Sequence, residues 1–174
     1  MDEALNGSSD FGHGAPQLAL VRGAMAVAGT IVALDQLTKW IVRHAFRREG
    51  DGLTLLPNLL DLRYIRNTGA AWGVLSGFQT LLIGFAIAML VLLVWKRHAL
   101  LGAISLRWLV LGLLVGGIVG NLIDRVWLGY VVDFIDCHWH ASHFPAFNVA
   151  DASICCGVGL FMLLQGRAER RARP

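Results

Sequence analysis

Residues 104–125 read ISLRWLVLGLLVGGIVGNLIDR, and from Trp108 to Ile123 the only polar side chain is that of Asn121. A helix that crosses roughly 30 Å of hydrocarbon needs about 20 apolar residues at 1.5 Å each. This stretch supplies them from about Ile104 to Ile123, with Arg107 able to snorkel from the first turns. Gly112, Gly116 and Gly120 recur at four-residue spacing with Gly117 beside them, so one helix face lacks side chains. Such a face either lets a neighbouring backbone approach closely or forms a smooth wall for an acyl chain or peptide. At the end of the run Asp124 and Arg125 each stand about one turn from Asn121, and the three gather into a polar cluster at the outer end of the helix.

The rest of the chain resembles this run. Of 174 residues 56% are hydrophobic and 16% charged, with a mean hydropathy of +0.59, whereas a soluble domain carries about a quarter charged residues. The excess must face lipid, and three further spans are predicted at about Leu18–Ile41, Phe78–Trp95 and Asn148–Gln165. The expected fold is a mainly α membrane protein of four transmembrane helices. A polar N-terminal extension (1–17) precedes one membrane domain (18–165), and a basic C-terminal tail (166–174) follows it. No repeat of roughly 20–50 residues is visible. No cleavable signal peptide is obvious, because the first apolar run outlasts a signal's length.

The net charge of +3 does not indicate a nucleic-acid partner, since the basic residues lie at the ends of apolar segments rather than in one stripe. Lys96, Arg97 and Arg107 flank one connection, and Arg167, Arg170, Arg171 and Arg173 follow the last span. By the positive-inside rule those ends, and with them both termini, are cytoplasmic. Arg43, Arg47, Arg48, Arg63 and Arg66 in the first outer loop run against that rule and are unexplained. The outer segments Val42–Gly77 and Arg125–Phe147 carry strand-like runs at Leu53–Leu56, Leu60–Arg66 and Tyr130–Ile135. A small extracytoplasmic β-sheet lying on the membrane surface follows, because an unpaired edge cannot sit in hydrocarbon.

Four carboxylates matter for chemistry. Asp35 and Lys39, four apart, form either a local ion pair or support for a site. Asp151 is followed by fifteen residues without a charge, so it cannot lie far outside the bilayer, where carboxylates are costly and commonly functional. Its other reading is a capping box with Asn148 as N-cap. Asp133 interrupts a β-like run as either a solvated turn residue or half of a pair. Were Asp133 and Asp151 to meet, two carboxyls sharing one proton would supply a general base and a general acid without a metal. Cys137, His138, His140 and His143 are zinc-binding types, yet alternation on a strand gives His143 no fixed partner, and no metal or other cofactor is expected. Cys155 and Cys156 read as small apolar residues. GxSxG, Walker and GxGxxG motifs are absent. The competing classes are a small transporter using Asp35, Asp124 and Asp151, though no internal repeat supports it, and a metal-dependent lipid transferase using Asp124 and Asp133.

The strings LDQLTK (34–39), RNTGAAWG (66–73), GGIVGNLIDR (116–125), VVDF (131–134) and FNVADAS (147–153), in this order over four helices, resemble the lipoprotein signal peptidase (signal peptidase II) family across about residues 18–165. The resemblance implies an aspartic endopeptidase of the bacterial cytoplasmic (inner) membrane, working at its outer face. It implies removal of signal peptides from prolipoproteins before a diacylglyceryl-modified cysteine, and inhibition by globomycin-type peptides. It assigns catalysis to Asp133 and Asp151, substrate binding to Asn67, Asn121, Arg125 and Asn148, and support to Asp35, Lys39, Asp124 and Gly117. Membrane lipid is a further partner, and a monomer is expected. Trp72 and Ala152 depart from the family's usual Phe and hydroxyl residue.

Overall fold

The structure, a computed structural model, describes residues 14–70, 74–102, 106–140 and 142–172. Most of the N-terminal extension, Trp72, Ile104 and Arg173 therefore lie outside the described residues. The chain is mainly helical with a small antiparallel sheet. Its elements are α1 (Gly14–Ala45), β1 (Gly52–Leu56), β2 (Leu60–Asn67), α2 (Gln79–Trp95), α3 (Arg97–Leu101), α4 (Arg107–Leu128), β3 (Val131–Trp139), β4 (Ser142–His143) and α5 (Val149–Ala172). Three helices, over Gln17–Ala45, Arg107–Leu128 and Val149–Arg171, are long and apolar enough to cross a membrane. The fourth expected span is α2, which is apolar from Leu81 to Trp95 but has 17 residues in all, about 26 Å of helix.

α4 is the centre of the bundle and packs against α1, α5 and α2. Its glycines explain how. A Cβ on Gly112 would stand 2.6 Å from Val27 Cβ, and one on Gly116 would stand 2.8 Å from Ile31 Cβ and 3.0 Å from Ala28 Cα. On the neighbouring face a Cβ on Gly117 would meet the Ala150 carbonyl at 2.5 Å. The stripe is thus filled by α1, with α5 beside it, and is not the free wall for an acyl chain or signal helix that the sequence left open.

Two boundaries also differ from expectation. α4 runs on to Leu128, so the polar cluster expected at its outer end is followed by almost another turn of helix, and the outer segment begins after Leu128 rather than at Arg125. It stops where Gly129 takes φ 77, a left-handed cap that glycine adopts at little cost. α5 continues through the basic residues to Ala172, so the described part of the tail extends the helix.

The four strands pair in the order β1-β2-β3-β4. β2 and β3 run antiparallel, with Asn67 opposite Val131 and Ile65 opposite Asp133. β3 is buried on both faces from Val131 to Phe134, because Val132 and Phe134 join Val42 of α1 and Tyr64 of β2 in one apolar cluster. That cluster ties the sheet to the end of α1. β1, by contrast, is exposed along its length.

The glycine contacts make a direct prediction. Gly116→Val should lower the thermal unfolding midpoint in detergent, at a cost of about 1–3 kcal/mol of overpacking. Gly159→Ala, where nothing lies within 4 Å, should not lower it and should raise it slightly, since alanine favours a helix interior over glycine by about 0.5–1 kcal/mol. Equal midpoints for the two variants would contradict the packing described.

Candidate active site

The site starts from a buried ion cluster between α1 and α4. Lys39 is 2% exposed and its Nζ lies 2.8 Å from Asp35 Oδ2, 3.1 Å from Asp124 Oδ2 and 3.0 Å from Asn121 Oδ1. An ammonium has three donors and no acceptor, so these partners saturate it. Asp35 Oδ1 accepts from the Ala150 amide at 2.9 Å, and Asp124 Oδ2 accepts from the Val132 amide at 3.0 Å. The cluster therefore holds the start of α5 and the start of β3 at once. Sequence reasoning missed Gln36, whose Nε2 donates to Asp124 Oδ1 at 3.0 Å and to the Gly120 carbonyl at 3.1 Å. Its position between Asp35 and Lys39 in LDQLTK was the available signal.

Three asparagines carry this order to two carboxylates. Asn121 turns its oxygen to Lys39, so its amide must face away, and it donates to Asp151 Oδ1 at 2.7 Å. Asn148 accepts from the Asp151 backbone amide at 3.0 Å, and Asp151 Oδ2 accepts from the Asn148 backbone amide at 3.2 Å. This is a reciprocal capping box at the start of α5, one of the two readings open for Asp151. The Asn148 amide then donates to Asp133 Oδ1 at 2.7 Å and to Asn121 Oδ1 at 3.1 Å. Asn67 accepts from the Gly69 amide and donates to Asp133 Oδ2 at 2.9 Å. In each asparagine the oxygen faces a group that can only donate, which fixes the orientation of the amide.

Asp133 and Asp151 line one cavity of about 430 Å³ together with Asn67, Asn121 and Arg125. Its remaining wall is largely apolar and includes Phe144, Phe147, Ile154 and Cys155, which sequence reasoning had not tied to the site. Cys155 stands one turn from Asp151 and so shares its face. Asp133 is 2% exposed, which overturns the solvated-turn reading. Burial pushes its carboxyl up to about 7, the charge of Asp151 adds to the rise, and the amides of Asn67 and Asn148 oppose it. Arg125 donates to the carbonyls of Asn121 and Gly69, both at 3.3 Å, while its buried Nε has no partner among the described residues. Asp35, Lys39 and Asp124 lie outside the cavity lining, and Gly117 packs under Ala150.

The histidines go elsewhere. His138 and His143 stack at 4.8 Å between ring centroids across the β3–β4 pair, and His143 Nδ1 lies 2.8 Å from Asp136 Oδ1. Arg63 pairs with the same carboxylate at 3.3 Å and Arg66 Nε donates to Tyr64 Oη at 3.0 Å, which gives two first-loop arginines partners.

Two carboxyls lining one cavity, fixed by amides and beside a cation, have the chemistry that a general acid and a general base for hydrolysis require. The signal peptidase II profile, described as "Signal peptidase (SPase) II", matches residues 27–165. The chain belongs to the signal peptidase II family. It is 42% identical over 154 residues to the lipoprotein signal peptidase of Syntrophotalea carbinolica, covering 87% of this chain and 95% of that protein. It is 46% identical over 138 residues to that of Shewanella pealeana, covering 74% and 77%. A solved bacterial membrane enzyme superposes with a TM-score of 0.76 at 34% identity, over 88% of this chain and 93% of that one. Membership of signal peptidase II makes the chain a hydrolase and a protease, and its long apolar helices fit a bacterial inner-membrane protein.

The raised Asp133 value predicts a pH-dependent stability. Its folded value near 7 exceeds the ordinary 3.8, so the folded state binds the proton more tightly. Stability from this group is then fully present below the lower value and is lost as the pH rises through the window to about 7. Asp133→Asn removes the titration, although its NH₂ end then faces an amide donor that a carboxyl oxygen had accepted from. The stability of the variant relative to the wild type should therefore rise from acid to above neutrality, by at most about 4 kcal/mol. The check is thermal unfolding in detergent across pH. A difference that stays constant between acid and alkaline pH would contradict this account.

Proposed function

We propose that the chain is an aspartic endopeptidase that removes the signal peptide of a prolipoprotein, cutting just before the diacylglyceryl-modified cysteine, with Asp133 and Asp151 as the catalytic pair. The observation that carries this reading is that the two carboxyls, one on a strand and one on a helix, line a single cavity and are both bound by Asn148, Asp133 through its side-chain amide and Asp151 through its backbone N–H. One carboxylate takes a proton from water as the oxygen adds to the scissile carbonyl. The other carboxyl gives its proton to the departing amine as the C–N bond breaks. Arg125, which lines the cavity and spends only two of its five N–H donors on carbonyls, stabilises the oxyanion that forms between these steps. Asn67, Asn121 and Asn148 hold the carboxyls in place. Asn67 and Asn121, which line the cavity, also bind substrate backbone, whereas Asn148, fully buried and outside the lining, acts only through the carboxyls and not on substrate as the sequence suggested. Globomycin-type peptides would occupy the same cavity.

In this reading α1, α2, α4 and α5 are the four spans, with both termini cytoplasmic, and the sheet lies at the outer surface of the cytoplasmic membrane. Lys96, Arg97, Arg107, Arg167, Arg170 and Arg171 support it, since they stand at the helix ends opposite the site. A lipidated substrate held in the bilayer then brings its scissile bond to the outer interface, at the depth of Asp133 and Asp151. The enzyme works as a monomer, because both carboxyls and all three asparagines come from one chain.

The test is a gel-shift cleavage assay with purified protein, a diacylglyceryl precursor and its unmodified counterpart. The lipidated precursor should be cut without any imposed ion gradient, and the unmodified one spared. Asp133→Asn and Asp151→Asn should each lower the rate at least about 100-fold in folded protein, and the double variant should be scarcely worse. Near-normal turnover by either folded single variant would sink the pair.

Asp124 separates support from catalysis. Asp124→Asn removes one partner of a buried ion cluster, so it should cost about 3–5 kcal/mol of stability while the folded fraction still cleaves. Complete loss of cleavage in folded protein that still binds precursor would make Asp124 the better catalytic candidate.

A further inference from the structure

A second cavity, of about 300 Å³, shares no lining residue with the first. On β3 the pleat turns Val132 into this cavity and Asp133 into the other, so the two lie on opposite faces of one strand. Its inner wall is Lys39 and Asp124, and its mouth is framed by Trp40, Arg43, Trp127 and Leu128. We propose that it binds the phosphate-bearing headgroup of an anionic glycerophospholipid from the outer leaflet. The inference rests on the reading of α1 and α4 as spans whose outer ends lie at Arg43 and Trp127.

Three observations carry it. Trp40 is 55% and Trp127 82% exposed, at matching ends of two apolar helices. Indole rings, apolar with one N–H donor, settle at the headgroup level of a bilayer. Between them Arg43 is exposed and makes no ion pair among the described residues. Lys39 is shared by Asp35 and Asp124 and so has no charge to spare, which leaves Arg43 as the one cation of the cavity lining open to an anion. A guanidinium offers phosphate a two-donor fork, and Leu128 offers the glycerol and first methylenes an apolar contact. A bound headgroup also seals the ion cluster that holds Asn121 and the Val132 amide, so the lipid supports the candidate site from behind.

The test is native mass spectrometry of the full chain released from nanodiscs of mixed phosphatidylglycerol and phosphatidylethanolamine. The wild type should retain one phospholipid, enriched in phosphatidylglycerol. Arg43→Ala should lower the retained fraction about tenfold, as loss of a charge-assisted contact worth about 1.4 kcal/mol requires. Trp127→Ala should lower it several-fold, and Arg48→Ala should not change it. Excess free glycerol phosphate should not displace the lipid. Unchanged retention in both Arg43→Ala and Trp127→Ala, or displacement by glycerol phosphate, overturns the proposal. Cleavage of lipidated precursor is measured on the same samples. Cleavage with no specific lipid overturns this site and leaves the peptidase reading standing, whereas lipid lost on Arg43→Ala from a wild type that cleaves nothing does the reverse.

Discussion

Lys39 is a full positive charge inside an apolar bundle, and the architecture follows from the need to satisfy it. Removing an ion of this size from water costs several kcal/mol even after relaxation. The cost is recovered only if every donor finds an acceptor, and the three acceptors come from Asp35 on its own helix and from Asp124 and Asn121 on α4. Those acceptors need partners in turn, and they find them in the backbone amides of Ala150 and Val132. One buried ammonium thus brings together α1, α4, the entry to α5 and the entry to β3. Close approach of α1 to α4 is the other requirement, and the glycine face of α4 meets it.

The asparagines convert this electrostatic anchor into geometry. Charged and backbone groups decide which end of each amide faces which way, so the NH₂ ends all point toward Asp133 or Asp151. Amides suit this role because they stay neutral at every pH of interest and so steer the carboxyls without fixing their charge. The carboxyls are left to titrate against burial and against each other, which is the condition under which a pair can both take and give a proton.

Much of this was legible in the sequence. The apolar runs located the helices, and the alternation at Leu60–Arg66 and the β-like run at Tyr130–Ile135 located the two longer strands. The pairing of Asp133 with Asp151 in one cavity was open to a reader who asked where two carboxylates near an apolar segment could go. What was not legible has common physical causes. Asp124 and Arg125 read as the end of a span because charges usually mark one; here Lys39, Gln36 and backbone carbonyls satisfy them, and the helix continues to its stop at Gly129. The glycine stripe admitted two occupants, and only the packing of α1 decides between them. Phe144 and Phe147 join the cavity through the fold of a loop, which no periodicity records.

The capping box at Asn148 and Asp151 makes the start of α5 and the position of a cavity carboxyl the same structural event. One residue inserted between them would turn Asp151 by about 100° around the helix axis, and would also undo the cap. One residue inserted earlier, in the loop after β4, would leave both intact. The tolerance of this chain to length change is therefore sharply uneven: divergence in length can accumulate up to Phe147, whose backbone pairs with Ile135, and from there to Asp151 the count is fixed by chemistry.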